Sequence, residues 1–260
     1  GRSNAIAAGA WSRPLFMGGF QHTDASTERT YNLQTPSIFL DLRLPTAGDF
    51  SQHSSLTTMS PQELSLFARR HAFAGYTLVN TAPYSVENPP VAVRHHAIDW
   101  NFVGALRPRP NKWRIEMDKG GNVWKEWGWA RDEHGQHVYC ERWERLEDGF
   151  GPYIALRSAD PAGGDAFLIT CGNHFGLVED RPTKQPFDAA RASYPSLQAL
   201  VDALLKEDPS GNRAEVEAYL SLRACHGLIA APGGGEWVID AAIHPWLEGK
   251  QLMKAGDLVV

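Results

Sequence analysis

The sequence has little of what would assign it to several broad classes of protein. Its formal net charge is -5 and no Lys/Arg-rich block occurs, so it lacks the clustered positive charge that binding to nucleic acid requires. No apolar run approaches the roughly 20 residues that a membrane-spanning helix needs. We therefore expect neither a nucleic acid nor a membrane among its partners.

Cysteine is also scarce. Cys140, Cys171 and Cys225 form an odd set with neither a CxxC pair nor the spacing of a zinc site. Such a set is typical of reduced thiols, because structural disulfides need pairs and an oxidising compartment. The pattern favours a cytoplasmic location.

Familiar catalytic and cofactor motifs are missing as well. The chain has no GxSxG elbow, no P-loop, no GxGxxG after a strand, no HExxH and no EF-hand loop. His95 and His96 are adjacent, so in a strand they point in opposite directions, and the spacing of other residues offers no clear further metal ligands. We expect no metal and no cofactor.

Tryptophan is the one residue in excess. The chain has nine, in a composition that is otherwise ordinary for a globular protein, with 43% hydrophobic and 21% charged residues. A large aromatic ring is seldom left on the surface, so a region rich in tryptophan is either core or the wall of a pocket. Six of the nine lie in one stretch, at Trp100, Trp113, Trp124, Trp127, Trp129 and Trp143.

The stretch 30–45 indicates the fold class. Its apolar residues alternate with Phe39, Asp41 and Arg43, so a strand here has one apolar face and one face that carries charge. Later segments repeat this mixture of charge and aromatic rings on one face, and strands do not alternate with helices. We predict an all-β fold, an antiparallel barrel whose charged faces line the inside.

Two helical features interrupt the strands. Ser60, Pro61 and Glu63 form a capping box that predicts a short helix, which we expect to plug one end of the barrel. Apolar residues spaced three and four apart from Leu197 predict a second helix, and Asn212 would cap a third, which gives a helical hairpin inserted at about 194–223. We expect one domain over 11–260, with 1–10 as a disordered tag remnant.

Asp41 and Arg43 are the first candidates for a site. A carboxylate and a guanidinium on one inward face could orient a polar group of a ligand. They could equally hold each other as a structural salt bridge.

A second candidate is the segment from Arg94 to Trp100. In a regular strand His95 shares a face with Asp99, and His96 shares the other face with Trp100. A His–Asp pair could form an oriented general base. The alternative is one histidine hydrogen-bonded in the core and the other in solvent.

The third candidate is the segment around Glu141. Tyr139, Glu141 and Trp143 share one face, which makes Glu141 the carboxylate most suited to point inward. Burial would raise its pKa unless Arg43 or Arg145 paired with it. Either an acid–base residue or a structural ion pair would have this pattern.

The order of several short motifs resembles that of an uncharacterised bacterial family. The motifs are LQTPSIFLDLRLP, HAFAG, RHHAIDW, YCERWERL and HPWLEG, and together they span most of the chain from about Trp11. The layout also resembles, more distantly, the fungal protein Hri1. The resemblance implies a lipocalin-like (calycin) barrel and brings no established reaction with it. It also implies that Asp41, Arg43, His96, Asp99, Glu141 and Trp143 surround one cavity.

Three functions fit these observations. The first is a small-molecule binding protein that holds an apolar or aromatic ligand with a polar anchor, through Phe39, Asp41, Arg43, Trp100, Tyr139 and Trp143. The second is a cofactor-independent lyase, hydratase or isomerase with His95, His96, Asp99 and Glu141 as acid–base residues. The third is a structural or interaction module with a filled barrel. The sequence does not set the oligomeric state, for which a dimer is one candidate.

Overall fold

The computed structural model describes residues 6–18, 21–80, 85, 87–103, 107–136, 138–160, 164–182, 193–230 and 235–253. These residues form two antiparallel sheets and three α-helices, so the predicted all-β class is confirmed. The expected turns at 161–164 and 232–235 lie mostly outside the described residues.

The first sheet is a closed barrel. β1 pairs with β9, and this pairing closes a ring of eight strands, β1 and β3 to β9. The short β2 pairs with the far end of β1, beyond its pairing with β3. The strands are β1 Gly9–Gly18, β2 Gln21–Asp24, β3 Glu28–Gln34, β4 Ile38–Pro45, β5 His71–Val79, β6 Val91–Asp99, β7 Asn111–Met117, β8 Val123–Trp127 and β9 Tyr139–Arg145.

The later strands form a second sheet, a half-barrel, where the sequence suggested that they would complete the first barrel. The physical reason is that β9 already pairs with β1, so no edge of the barrel is free to receive another strand. The six strands of the half-barrel are β10 Tyr153–Asp160, β11 Gly164–Cys171, β12 His174–Glu179, β13 Arg223–Ile229, β14 Trp237–Ala242 and β15 Gln251–Met253.

The two sheets pack against each other across the outer face of β4. Leu40 and Leu42 are buried there in one cluster with Phe167 and Ile169 of the half-barrel. Burying each of these side chains contributes about 1.5–3 kcal/mol. The apolar row of β4 is therefore covered by the second sheet, and its alternate row faces the interior of the barrel.

A glycine allows this close approach. A Cβ atom at Gly176 of β12 would lie 2.6 Å from Leu40 Cδ2, well inside van der Waals contact. Gly75 of β5 allows a second close approach, because a Cβ there would lie 1.9 Å from the His95 carbonyl oxygen.

The helices border one end of the barrel. α1 (Pro61–Phe67) begins with the predicted capping box, in which Ser60 Oγ accepts from the Glu63 amide and the Glu63 carboxylate accepts from the Ser60 amide. α2 (Leu197–Glu207) and α3 (Arg213–Tyr219) are inserted between β12 and β13.

Asn212 is the N-cap residue of α3, as predicted, but its side chain does not cap the helix. Its side chain makes no capping hydrogen bond to α3, and its Nδ2 donates to the Leu204 carbonyl at the end of α2 instead. The amide of Asn212 thus ties the two helices together.

The first described residues pack against the barrel. β1 begins at Gly9, and Ala7 and Ala8 are buried. Trp11 Nε1 donates to the Ala7 carbonyl at 2.8 Å, which fixes this segment against the barrel.

Candidate functional site

One end of the barrel interior is closed by aromatic rings. Trp124 and Trp143 stack with ring centroids 5.4 Å apart, and Trp11 meets Trp124 edge to face at 6.1 Å. All three are fully buried, and Ile115 packs in the same cluster. This end of the interior is hydrophobic core.

The middle of the interior contains an ion-pair network. Arg43 Nε donates to Asp41 Oδ1 at 2.7 Å, and Arg13 Nη1 lies 3.1 Å from Glu141 Oε1. Arg13 also pairs with Glu28, and Arg43 Nη2 lies 3.9 Å from Glu141 Oε1. Burial opposes ionisation of Asp41, but Arg43 and then the more distant arginines outweigh it, so the pKa of Asp41 is lowered. Asp41 is therefore ionised and held by arginine.

Arg94 completes this network from β6. Its guanidinium donates to Gln34 Oε1 at 3.1 Å, to Thr77 Oγ1 at 3.3 Å and to Asn32 Oδ1 at 3.4 Å, all neutral acceptors. Its nearest carboxylate oxygen, Asp41 Oδ2, is 3.9 Å away, and burial lowers the pKa of Arg94. Arg94 is thus a buried cation without a bidentate carboxylate partner among the described residues.

Two carboxyl groups meet beneath Tyr139. Glu126 of β8 lies directly opposite Glu141 of β9. The Tyr139 hydroxyl is 2.5 Å from Glu141 Oε1 and 3.1 Å from Glu126 Oε1. Burial and the charge of Glu141 raise the pKa of Glu126 to about 8. Burial and the neighbouring charge therefore favour the protonated form of Glu126.

The sequence predicted such a raised pKa for Glu141 unless an arginine paired with it. The structure places Arg13 and Arg43 beside Glu141. The other arginine that we considered, Arg145, donates to backbone carbonyls, including that of Gly121 at 2.6 Å. The carboxyl group whose pKa is raised is that of Glu126, which lies opposite Glu141 on β8.

The histidine pairing differs from simple alternation. His96 Nδ1 lies 2.6 Å from Asp99 Oδ2, while His95 is exposed. The pairing of β5 with β6 shifts register between Ala74 and Gly75, so the extra residue on β6 brings Asp99 to the same side as His96. A bulge of this kind is the reason that His95 does not face Asp99.

The surroundings of Asp99 keep it ionised. Its Oδ1 accepts from the Asn101 amide at 2.9 Å and lies 3.4 Å from His71 Nε2. Burial opposes ionisation, but the hydrogen bonds from His71 and His96 hold the pKa of Asp99 well below its usual value. Burial lowers the pKa of His96, whose ring stacks on Phe73 at 4.3 Å. His71 and His96 thus share one anionic acceptor.

A cavity of two adjoining lobes opens at the other end of the barrel. The lobes have volumes of about 350 Å³ and 470 Å³ and share Phe16, Arg43 and His71. The first lobe is also lined by Phe73, Arg94, Arg107, Asn111, Lys112, Trp113, Glu126, Gly128 and Tyr139. The second is also lined by Arg13, Thr23, Glu28, Ala68, Arg69, Asn101, Ser196 and Gln198, so the helices α1 and α2 border it.

The candidate residues from the sequence lie in five different places. Arg43 and Tyr139 line the cavity, whereas Phe39, Asp41, His96, Asp99 and Glu141 are buried behind its wall. Trp143 belongs to the closed end. Trp100 lies outside the barrel interior, with its Nε1 donating to the Ala68 carbonyl, and His95 faces solvent.

Several residues of the cavity wall were not predicted. Arg94 was part of the second candidate segment but was given no role, and His71, Arg107 and Lys112 had no distinguishing pattern. Glu126 did have a signal, because it follows Trp124 by two residues, as Glu141 precedes Trp143 by two. Each strand thus carries one tryptophan and one carboxyl on the same face.

Comparison with known proteins gives one structural similarity. The chain is similar to the crystal structure of the uncharacterized protein YLR301w from Saccharomyces cerevisiae, with 13% sequence identity, a TM-score of 0.49, and coverage of 96% of this chain and 86% of that one. No protein-family model matches the sequence, and no curated protein matches it.

In the part of the chain that the structure describes, no group of three or more His, Cys, Asp or Glu side chains is arranged to hold a metal ion. None of the described helices is long and apolar enough to cross a membrane.

Proposed function

We propose that the open end of the barrel binds a small anionic molecule with an aromatic or apolar body. The observation that carries this proposal is the charge of the first lobe. Among the described residues that line it, Arg43, Arg94, Arg107 and Lys112 are cationic, and the carboxyl of Glu126 has a pKa of about 8. At neutral pH the lobe is therefore positively charged, which favours an anion.

The wall of the lobe also supports an aromatic body. Phe16 and Tyr139 meet edge to face at 5.7 Å, and Trp113 and Phe73 line the same space. Arg43 lies 5.0 Å above the Phe73 ring and Arg94 5.1 Å above the Trp113 ring, so charge and ring faces alternate along the wall. Concave sites with apolar walls and a few polar anchors are typical of small-molecule binding.

The polar anchor in this proposal is Arg43 together with Arg94, and Glu141 has an indirect part. Glu141 is completely buried and does not line the cavity. Its ion pairs with Arg13 and Arg43 hold both guanidinium groups in place. The tryptophans fill the closed end and the cavity lies at the other end, which favours binding over a structural module with a filled barrel.

Fluorescence titration with two matched probes tests the proposal. 1-Anilinonaphthalene-8-sulfonate carries an aromatic body and a fixed negative charge, and N-phenyl-1-naphthylamine has the same body without the charge. We expect the sulfonate to bind about tenfold more tightly, which corresponds to about 1.4 kcal/mol. Equal affinity for the two probes would contradict the proposal.

A pair of lysine variants locates the binding. Lys112→Gln removes a cation from the rim of the first lobe and should weaken sulfonate binding about threefold. Lys125→Gln is the matched control, because Lys125 lines neither lobe of the cavity and its Nζ lies 5.9 Å from the Trp127 ring on the outer surface. Equal losses in the two variants would place the probe elsewhere.

A second candidate function is acid–base catalysis in the same cavity. The observation that favours it is His71, which lines both lobes and is oriented by Asp99 through a contact of 3.4 Å. His71 suits this role better than His96, because the side chain of His96 has no exposed surface. A cofactor-independent lyase, hydratase or isomerase would use it to move a proton.

Deuterium exchange tests this second candidate. Phenylpyruvate is an aromatic anion with an acidic C–H bond, and incubation in heavy water followed by NMR reports exchange at that carbon. Catalysed exchange that is lost in His71→Gln, with sulfonate binding retained, would support a proton-transfer enzyme. If exchange is no faster with the protein than without it, proton transfer on a substrate of the phenylpyruvate type is contradicted.

A further inference from the structure

One hydroxyl group in the barrel is shared by two carboxyl groups. Tyr139 OH lies 2.5 Å from Glu141 Oε1 and 3.1 Å from Glu126 Oε1, and the two glutamates face each other across β8 and β9. A phenol has one proton and can donate it to only one of these oxygens. The other oxygen–oxygen contact is favourable only if the carboxyl itself carries a proton and donates it to the phenol oxygen.

The surroundings of the two carboxyl groups decide which one holds the proton. Glu141 has Arg13 Nη1 at 3.1 Å and Arg43 Nη2 at 3.9 Å, and these cations stabilise its ionised form. Glu126 takes part in none of the ion pairs among the described residues, and the residue opposite it on β7 is the apolar Ile115. The proton therefore resides on Glu126, which donates to Tyr139, which donates to Glu141.

This arrangement reaches the cavity. Glu126 and Tyr139 both line the first lobe, whereas Glu141 lies behind them. The charged and titratable groups that face Glu126 are Glu141 and Tyr139 from β9, Arg94 from β6 and Arg43 from β4. Loss of the proton from Glu126 would thus add a negative charge to the wall of a lobe whose other charges are positive.

We propose that Glu126 is a proton-dependent gate of the anion site, which binds its ligand while the carboxyl is neutral and releases it when the carboxyl ionises. This inference rests on the proposed function of the cavity. Ligand binding and protonation of Glu126 are then linked, so an anion that enters the lobe increases the affinity of Glu126 for its proton. The raised pKa of Glu126, about 8, places the transition in mildly alkaline solution.

The affinity of the aromatic sulfonate as a function of pH tests this gate. The sulfonate stays ionised throughout, so any change comes from the protein. We expect the wild-type affinity to fall about tenfold as the pH rises from about 6 to about 10, within the usual range of coupling between two sites. Glu126→Gln keeps the size and the neutral form of the side chain, and we expect it to bind tightly over the whole range.

His71 provides the control, because it is another proton-binding side chain of the same lobe. The loss of affinity above neutral pH should persist in His71→Gln if Glu126 is its origin. If Glu126→Gln still loses affinity above neutral pH and still prefers the sulfonate to the neutral probe, the gate is overturned. The proposed function is then unaffected. Failure of the sulfonate to be preferred at any pH would overturn both.

A measurement on the wild-type protein covers the case in which Glu126→Gln does not fold. Infrared spectroscopy detects the carbonyl stretch of a protonated carboxylic acid apart from that of a carboxylate. We expect a protonated-acid band at neutral pH that disappears in mildly alkaline solution. The absence of that band at neutral pH would overturn the gate.

Discussion

The two ends of the barrel interior are built by the same strands and are opposite in character. At the closed end Trp124 of β8 and Trp143 of β9 stack and are completely buried. Two residues along each strand, Glu126 and Glu141 occupy the same inward face and both contact the Tyr139 hydroxyl. Only two residues along each strand therefore separate the hydrophobic core from the candidate site.

This difference shows how a small barrel can be both stable and partly hollow. The tryptophans at one end supply buried apolar area, which is the main source of folding free energy. The arginines and carboxyl groups in the middle cost desolvation energy, which their ion pairs offset only in part. The aromatic end stabilises a barrel whose other end is arranged for binding.

The largest loss of stability should come from removing a tryptophan ring at the closed end. Trp124→Ala removes a fully buried ring and should lower the free energy of unfolding by about 3–5 kcal/mol, measured by urea denaturation. Trp129→Ala is the matched control, because 48% of Trp129 is exposed, and it should cost less than about 1 kcal/mol. Similar losses in the two variants would contradict the assignment of Trp124 to the core.

Much of this interior follows from the alternation of residues along each strand. Phe39, Asp41 and Arg43 face inward as predicted, because the leucines between them are needed to pack against the half-barrel. The capping box at Ser60 was also predictable, since it depends only on residues within one turn.

Other features depend on long-range geometry and could not be predicted. Alternation fails at the bulge beside Ala97, which places Asp99 next to His96 and away from His95. The pairing of β1 with β9 joins segments more than a hundred residues apart and separates the half-barrel from the barrel. Alternation also predicts which face of the strand a residue is on, but not its position along the barrel axis. Trp143 and Glu141 were therefore predicted to surround the same cavity.

The most direct test of the account follows the indole N–H signals by NMR during titration with the aromatic sulfonate. The indole nitrogens of Trp113, Trp124 and Trp143 have no hydrogen-bond partner among the described residues, so their shifts report on nearby rings and charges. Assignment uses single Trp→Phe variants. We predict that the Trp113 signal moves with saturation while the Trp124 and Trp143 signals stay in place. Movement of the Trp124 and Trp143 signals with an unchanged Trp113 signal would contradict a binding site at the open end.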